Sequence, residues 1–218
     1  MKGYIGAVLE LLLFLAGATY VRAQVPVFED VPYLMYFWYC FTVLTGFWEF
    51  NYVTGYQSVV QMADKLVETK THVWSSDYPV TMLLPNRLGQ LFYAEYGAYA
   101  DREYKSRRGG DFWARLIESS HALCCGAFCL LALVFYLHDS PERACLAGAM
   151  GMSAQFMNSL LYMGQYHLQT EDQDSPNYAS PAFPLGPWLK QRPFMWINAF
   201  WMLFPSVICW QLLQIQNY

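Results

Sequence analysis

The groups in this sequence that could move a proton stand in apolar surroundings. Glu10, Glu49, Glu118 and His121 each interrupt a long hydrophobic run. An ionisable side chain held away from water is costly, which makes it a functional candidate by default. Glu118 and His121 are three residues apart, a spacing that places both on one face of a helix. Gln155 with Asn158, and Asn198 with Trp201, repeat that spacing on two later runs. Polar side chains inside a helical bundle have a plain role, hydrogen bonding between helices, and this is the role expected for Glu10. For Glu118 with His121 a second role stands beside it: an acid and a base in a dry cavity. Trp201 alone would be a packing residue, but beside Asn198 and facing a carboxylate its ring could hold a cation.

Metal and cofactor chemistry lacks the residues it needs. None of the six cysteines (Cys40, Cys124, Cys125, Cys129, Cys145 and Cys209) has metal-ligand spacing with a histidine, and all lie in or beside apolar runs. They read as small buried hydrophobes. His121, His138 and His167 fall on different runs or at their ends, which argues against a haem or quinone site. No metal and no cofactor is expected. There is also no phosphate-cradling glycine loop and no basic-aromatic face, so no nucleic-acid partner is expected.

The elements that position these residues are long apolar helices. The chain has 218 residues, 56% hydrophobic, 18% aromatic and 14% charged, where a soluble domain carries about a quarter charged residues. Crossing the hydrocarbon core takes about 20 mostly apolar residues, because lipid offers the backbone no hydrogen-bond partner. Five stretches qualify: Tyr4–Val21, Tyr33–Val53, Phe112–Leu137, Ala144–His167 and Phe194–Leu213. The expected fold is therefore all-α, a single five-helix integral membrane bundle over residues 1–218. Lys2, the first apolar run and Val21-Arg22-Ala23 also look like a secretory signal with its cleavage site. Glu10 breaks that run, so a retained helix is the preferred reading.

Basic residues set the orientation. Lys2, Lys65, Lys70, Arg87, Arg102, Lys105, Arg107, Arg108, Arg115, Lys190 and Arg192 fall on one side of such a bundle, and only Arg22 and Arg143 on the other. The N-terminus is thus expected on the cytosolic or matrix side. The loop from 54 to 111 is too long for a simple connection. Within it Gln57–Thr69 has the pattern of a short amphipathic helix, and the aromatic segment Leu88–Tyr99 is expected at the membrane interface. The segment Thr170–Arg192 and the residue after it hold Pro176, Pro181, Pro184, Pro187 and Pro193, and read as an extended surface loop. No internal repeat and no broken pair of helices suggests a transporter.

The last run reads Met195-Trp196-Ile197-Asn198-Ala199-Phe200-Trp201-Met202-Leu203-Phe204-Pro205. This N-A-x-W-x-x-x-P pattern resembles the last helix of the emopamil-binding protein family, in the EXPERA superfamily, whose best-known member is the sterol 8,7-isomerase. Glu95-Tyr96, Asp101-Arg102 and the run to Phe112 resemble the family's approach to its third helix. Ile117-Glu118-Ser119 resembles its M-E-T segment, and Gln155 to Tyr162 its G-D-V-L-Y stretch. The resemblance covers most of the chain apart from the expanded second loop. It implies an EXPERA-like bundle that takes a lipid or sterol, with Trp48, Glu49, Asn158, Tyr162 and Trp201 around the ligand. It also implies proton transfer by Glu118, support from Asn198, and a carbocation held over Trp201.

The second helix departs from the family's H-x-x-x-E. Aligned there, Glu49 stands where the histidine belongs and Val53 where the glutamate belongs, while the family's fourth-helix aspartate appears as Asn158. Glu49 and His121 are the available substitutes. The expected function is accordingly a catalytically degenerate, lipid-binding or structural accessory subunit of a larger membrane complex. A mitochondrial respiratory assembly is the host suggested, with other membrane-protein subunits as partners and the inner membrane as location. The alternatives are an active sterol isomerase of the endoplasmic reticulum, shifting a ring double bond by proton transfer, and a non-enzymatic sterol-binding receptor.

Overall fold

The computed structural model describes residues 1–105, 113–181, 183 and 195–215, without the side chains at 83, 113, 114, 118, 119 and 195. The elements of these residues are all helical. In chain order they are α1 (Gly3–Gln24), α2 (Tyr33–Thr54), α3 (Tyr56–Thr69), α4 (Pro85–Glu95), α5 (Trp113–Ser120), α6 (Ala127–Leu137), α7 (Pro141–Gln169) and α8 (Met195–Ile215). A π turn, His121–Gly126, joins α5 to α6 without a break, and a second one, Tyr96–Ala100, extends α4.

Local chemistry sets the boundaries. Pro85 and Pro141 occupy the first turn of α4 and α7, where a missing amide hydrogen costs nothing. Lys70 ends α3 in the left-handed conformation at φ 52°. On α3 the residues Val59, Val60, Ala63 and Leu66 are buried at helical spacing, as the amphipathic pattern predicts. Pro205 lies within α8 and lacks the amide hydrogen that would bond the carbonyl of Trp201 one turn earlier.

The core divides into two clusters stacked along the long helices. One gathers Tyr52 of α2, Val59 and Ala63 of α3, Leu91 and Ala94 of α4, and Tyr162 and Tyr166 of α7. The other gathers Met35 and Tyr39 of α2, Cys129 and Ala132 of α6, Met152 of α7 and Ile208 of α8. The order of these residues fixes chain direction. Helices α2 and α7 run from the second cluster to the first, whereas α5–α6 and α8 run back. Helix α1, with Ala7 at the first cluster and Ala18 in the second, is antiparallel to α2. Helix α2 and the π turn before α6 meet closely at a glycine pair: a Cβ on Gly46 would stand 3.3 Å from the Cα of Gly126, the small-residue contact that lets helices approach without a hydrophobic drive between them.

Three helical segments are long and apolar enough to cross a membrane: Gly3–Gln24, Arg115–Leu137 and Trp196–Ile215. Their outward residues, among them Leu12, Leu13, Leu130, Leu203 and Leu213, are exposed and apolar, which suits hydrocarbon better than water. Helices α2 and α7 have the length, but tyrosine, threonine, glutamine and glycine lower their hydropathy. Their polar groups Thr42, Thr45, Glu49, Gln155 and Ser159 are turned inward and buried.

Two local contacts leave no pattern in the sequence. The aromatic segment after Pro85 packs inward: Leu91, Tyr93 and Ala94 are buried against α2 and α3. Gly89 permits this approach, since a Cβ there would meet the Cα of Trp48 at 2.9 Å. The second loop is also anchored to the N-terminus. Gly3 and Tyr4 donate their amides to Ser76 and Trp74 at 3.1 Å each, and Lys2 pairs with Asp77 at 2.6 Å. The N-terminus and the second loop therefore share one side of the molecule. Most of the proline-rich segment after 183 lies outside the described residues.

Candidate functional site

Along α2 and α7 a cavity of about 220 Å³ opens beside the first core cluster, which contributes Tyr93, Tyr104, Ile117 and Tyr162 to its lining. The family-derived ligand residues Trp48, Glu49, Asn158, Tyr162 and Trp201 all line it, as do His121 and Asn198. The side chain of Glu118 lies outside the described residues. Of the residues at three-residue spacing in the sequence, His121, Asn158, Asn198 and Trp201 line the cavity.

Glu49 and His121 meet at this wall. The Nδ1 of His121 is hydrogen bonded to Oε1 of Glu49, and both side chains are buried. The ring reaches α2 from the first residue of the π turn. Such turns insert an extra residue into a helix and recur at functional sites because they re-aim a side chain. On its far side, Nε2 of His121 lies 3.1 Å from the amide nitrogen of Gln155.

Gln155 is fully buried, and its neighbours fix which way its amide points. The indole of Trp38 donates to its Oε1 at 2.7 Å, and an indole nitrogen can only donate. The nitrogen end therefore faces Thr42 Oγ1 at 3.3 Å and His121. That nitrogen donates to Nε2, so the single proton of a neutral imidazole resides on Nδ1 and is directed at the Glu49 carboxylate. Acceptor, ring and amide form one chain across α2, the π turn and α7. Both nitrogens of His121 are engaged within the protein.

Aromatic rings close the rest of the wall. Trp201 meets the His121 ring edge to face at 5.5 Å and stacks on Phe41 at 5.6 Å. Trp38 packs on Trp201 at 5.0 Å, so the same indole that orients Gln155 also braces the cavity tryptophan. Trp48 donates to Oε1 of Glu10 at 3.0 Å, tying α1 to α2 in the structural role expected for that carboxylate.

Several cavity residues escape sequence reasoning. Phe41, Thr45, Phe92, Tyr93 and Tyr104 line it, yet in the sequence they are ordinary members of aromatic or β-branched stretches. Trp38 carries no sequence signal for its second role; only its partner, a glutamine inside an apolar run, is conspicuous. His138 and His167 remain at helix ends away from the cavity. The cysteines are free, with Cys125, Cys129 and Cys145 buried, and no group of His, Cys, Asp or Glu among the described residues could hold a metal ion.

No family model, no curated protein and no solved structure matches the chain.

Proposed function

We propose that this chain is an integral membrane protein whose five long helices cross the bilayer and hold a flat, apolar lipid of the sterol class in the cavity, without chemical turnover. The observation that carries this reading is the chain Glu49–His121–Gln155–Trp38. It supplies a polar spot on an aromatic wall, but each nitrogen of its imidazole already has a partner, so the ring has no lone pair for a ligand proton. The degenerate second-helix motif points the same way. An accessory role in a larger membrane assembly, the mitochondrial respiratory chain being the suggested host, follows from a binding scaffold that has lost its chemistry. The test is purification in mild detergent, followed by lipid extraction and identification of stoichiometric companions. A bound sterol-class lipid and co-purifying membrane subunits support the reading; an empty, solitary protein refutes it.

A second reading has its own support. A carboxylate, an imidazole and a tryptophan face lie in one cavity, the set that a sterol double-bond shift requires. Incubating the purified protein with a sterol bearing a ring double bond decides between the two. A shifted double bond, lost in Glu49→Gln or Glu118→Gln, establishes isomerisation and removes the first reading.

A further inference from the structure

The cavity has a thin wall on the side of α8. Ile197 lines the cavity and is also 52% exposed, so the wall there is a single side chain deep. Helix α8 packs chiefly on α7 and meets α2 through aromatic rings.

Burial divides α8 at Pro205. Beyond it, Ile208 and Leu212 belong to the second core cluster, and Pro205 is itself buried. Before it, no residue from Trp196 to Phe204 is buried. The residues of α8 that line the cavity, Ile197, Asn198 and Trp201, all fall in this first half. The second half is thus anchored in the core, and the first half is a wall. They join where Pro205 offers no amide hydrogen to the carbonyl of Trp201. Such positions are where long helices bend.

Ring contacts hold the first half against α2. Trp201 stacks on Phe41 at 5.6 Å, and Trp38 meets Trp201 at 5.0 Å and Phe204 at 4.6 Å. In hydrocarbon such contacts part at low cost, because lipid chains take their place. We propose that the first half of α8 is a gate. It swings about Pro205, parts Trp201 and Phe204 from Phe41 and Trp38, and admits a bilayer lipid sideways into the cavity between α2 and α8. This rests on the cavity holding a lipid and adds the route by which that lipid enters and leaves.

A latch or hinge that acts on the route alone changes entry and release by the same factor and leaves affinity as it was. The experiment follows the exchange of dehydroergosterol, a fluorescent sterol, between phosphatidylcholine vesicles and the full-length protein in nanodiscs. Phe204 does not line the cavity, and Phe204→Leu keeps an apolar side chain while removing a ring pair. Entry and release should both become about threefold to tenfold faster, the factor one aromatic pair supplies. Pro205→Ala returns the missing amide hydrogen, and both rates should become about fivefold slower, the factor one net hydrogen bond supplies. The dissociation constant of each variant should match that of the wild-type protein. Unchanged rates in either folded variant, or an altered dissociation constant at an unchanged release rate, overturns the gate alone. If Pro205→Ala does not fold, Phe204→Leu decides by itself. Failure of dehydroergosterol to bind the wild-type protein overturns the lipid-binding reading and the gate with it.

Discussion

The indole nitrogen of Trp38 donates to the side-chain oxygen of Gln155 at 2.7 Å, and this bond sets the protonation pattern of a histidine that Trp38 does not hydrogen bond. A second proton on His121 would face the amide hydrogens of Gln155, and the amide cannot turn over without setting its nitrogen against the indole. The buried imidazole is thereby held in one neutral tautomer. Trp38→Phe removes the constraint and keeps most of the ring packing. We expect isotope-labelled His121 to change from a single Nδ1–H tautomer to a mixture by nitrogen chemical shift. The stability loss should be about 1–3 kcal/mol, from leaving a buried amide oxygen unpaired, read by thermal or chemical denaturation in detergent. An unchanged tautomer in Trp38→Phe would show that the orientation is set elsewhere.

Glu49 divides the possible replacements by whether they can still accept a hydrogen bond. In Glu49→Gln the amide oxygen can take the Nδ1 proton of His121, so the cavity wall keeps its shape. Glu49→Leu removes the Oε1 that accepts from that buried N–H. Buried donors without partners cost about 1–3 kcal/mol, so Glu49→Leu should melt clearly below Glu49→Gln, with Glu49→Gln the closer to wild type. Equal melting of the two variants would mean that the hydrogen bond contributes nothing to holding α2 against the π turn.

Much of the helical fold was legible in the sequence because long apolar helices write themselves as composition. Apolar runs of about 20 residues mark the long helices, and the boundaries found at Gly3–Gln24, Tyr33–Thr54 and Met195–Ile215 lie within a few residues of the expected ones. Ionisable residues inside those runs were few enough that Glu49 and His121 stood out singly. Their meeting was not legible, because it depends on the π turn at His121–Gly126, which rotates the ring relative to a regular helix and leaves no mark of its own in the sequence. Nor was the inward course of Leu88–Tyr99, where aromatic richness suggests an interface and Gly89 instead admits the helix into the core. The buried bond from Asn177 to Asp101 was hidden for a third reason: hydrogen bonds between distant loop segments follow no periodicity.

Helix packing makes its own prediction at the glycine pair. Gly46 and Gly126 let α2 and the π turn before α6 touch backbone to backbone. A methyl group at Gly46 has only a few tenths of an ångström to find and one at Gly126 fits at ordinary contact distance, but Gly126→Leu forces the two segments apart. Overpacking typically costs about 1–3 kcal/mol, so Gly126→Leu should lower the melting temperature markedly and Gly126→Ala much less. Because the neighbouring residue Cys125 and the cavity residue His121 share this turn, ligand affinity should fall with stability in Gly126→Leu. Preserved affinity and stability would refute the close approach.

The N-terminal strap responds to acid. Lys2 donates to Asp77 at 2.6 Å, and that hydrogen bond holds the Asp77 carboxyl below its ordinary value although the group is fully exposed. A carboxyl whose folded value is depressed stabilises its contact above the usual carboxylate range, and the contribution is lost as pH falls through the lowered value. The strap should therefore be closed at neutral pH and loosen only in strong acid. Because the pair is exposed, salt should weaken it as well. Amide exchange reads this directly: Gly3 and Tyr4, bonded to Ser76 and Trp74, should exchange faster in Lys2→Ala than in wild type at neutral pH and low salt. The difference should shrink as acid or salt is added. Gly3→Ala offers an independent route, since its Cβ would stand 2.3 Å from the carbonyl oxygen of Val73, and it should open the strap at every pH. Amides equally protected in all three proteins would show that the strap does not hold the second loop to α1.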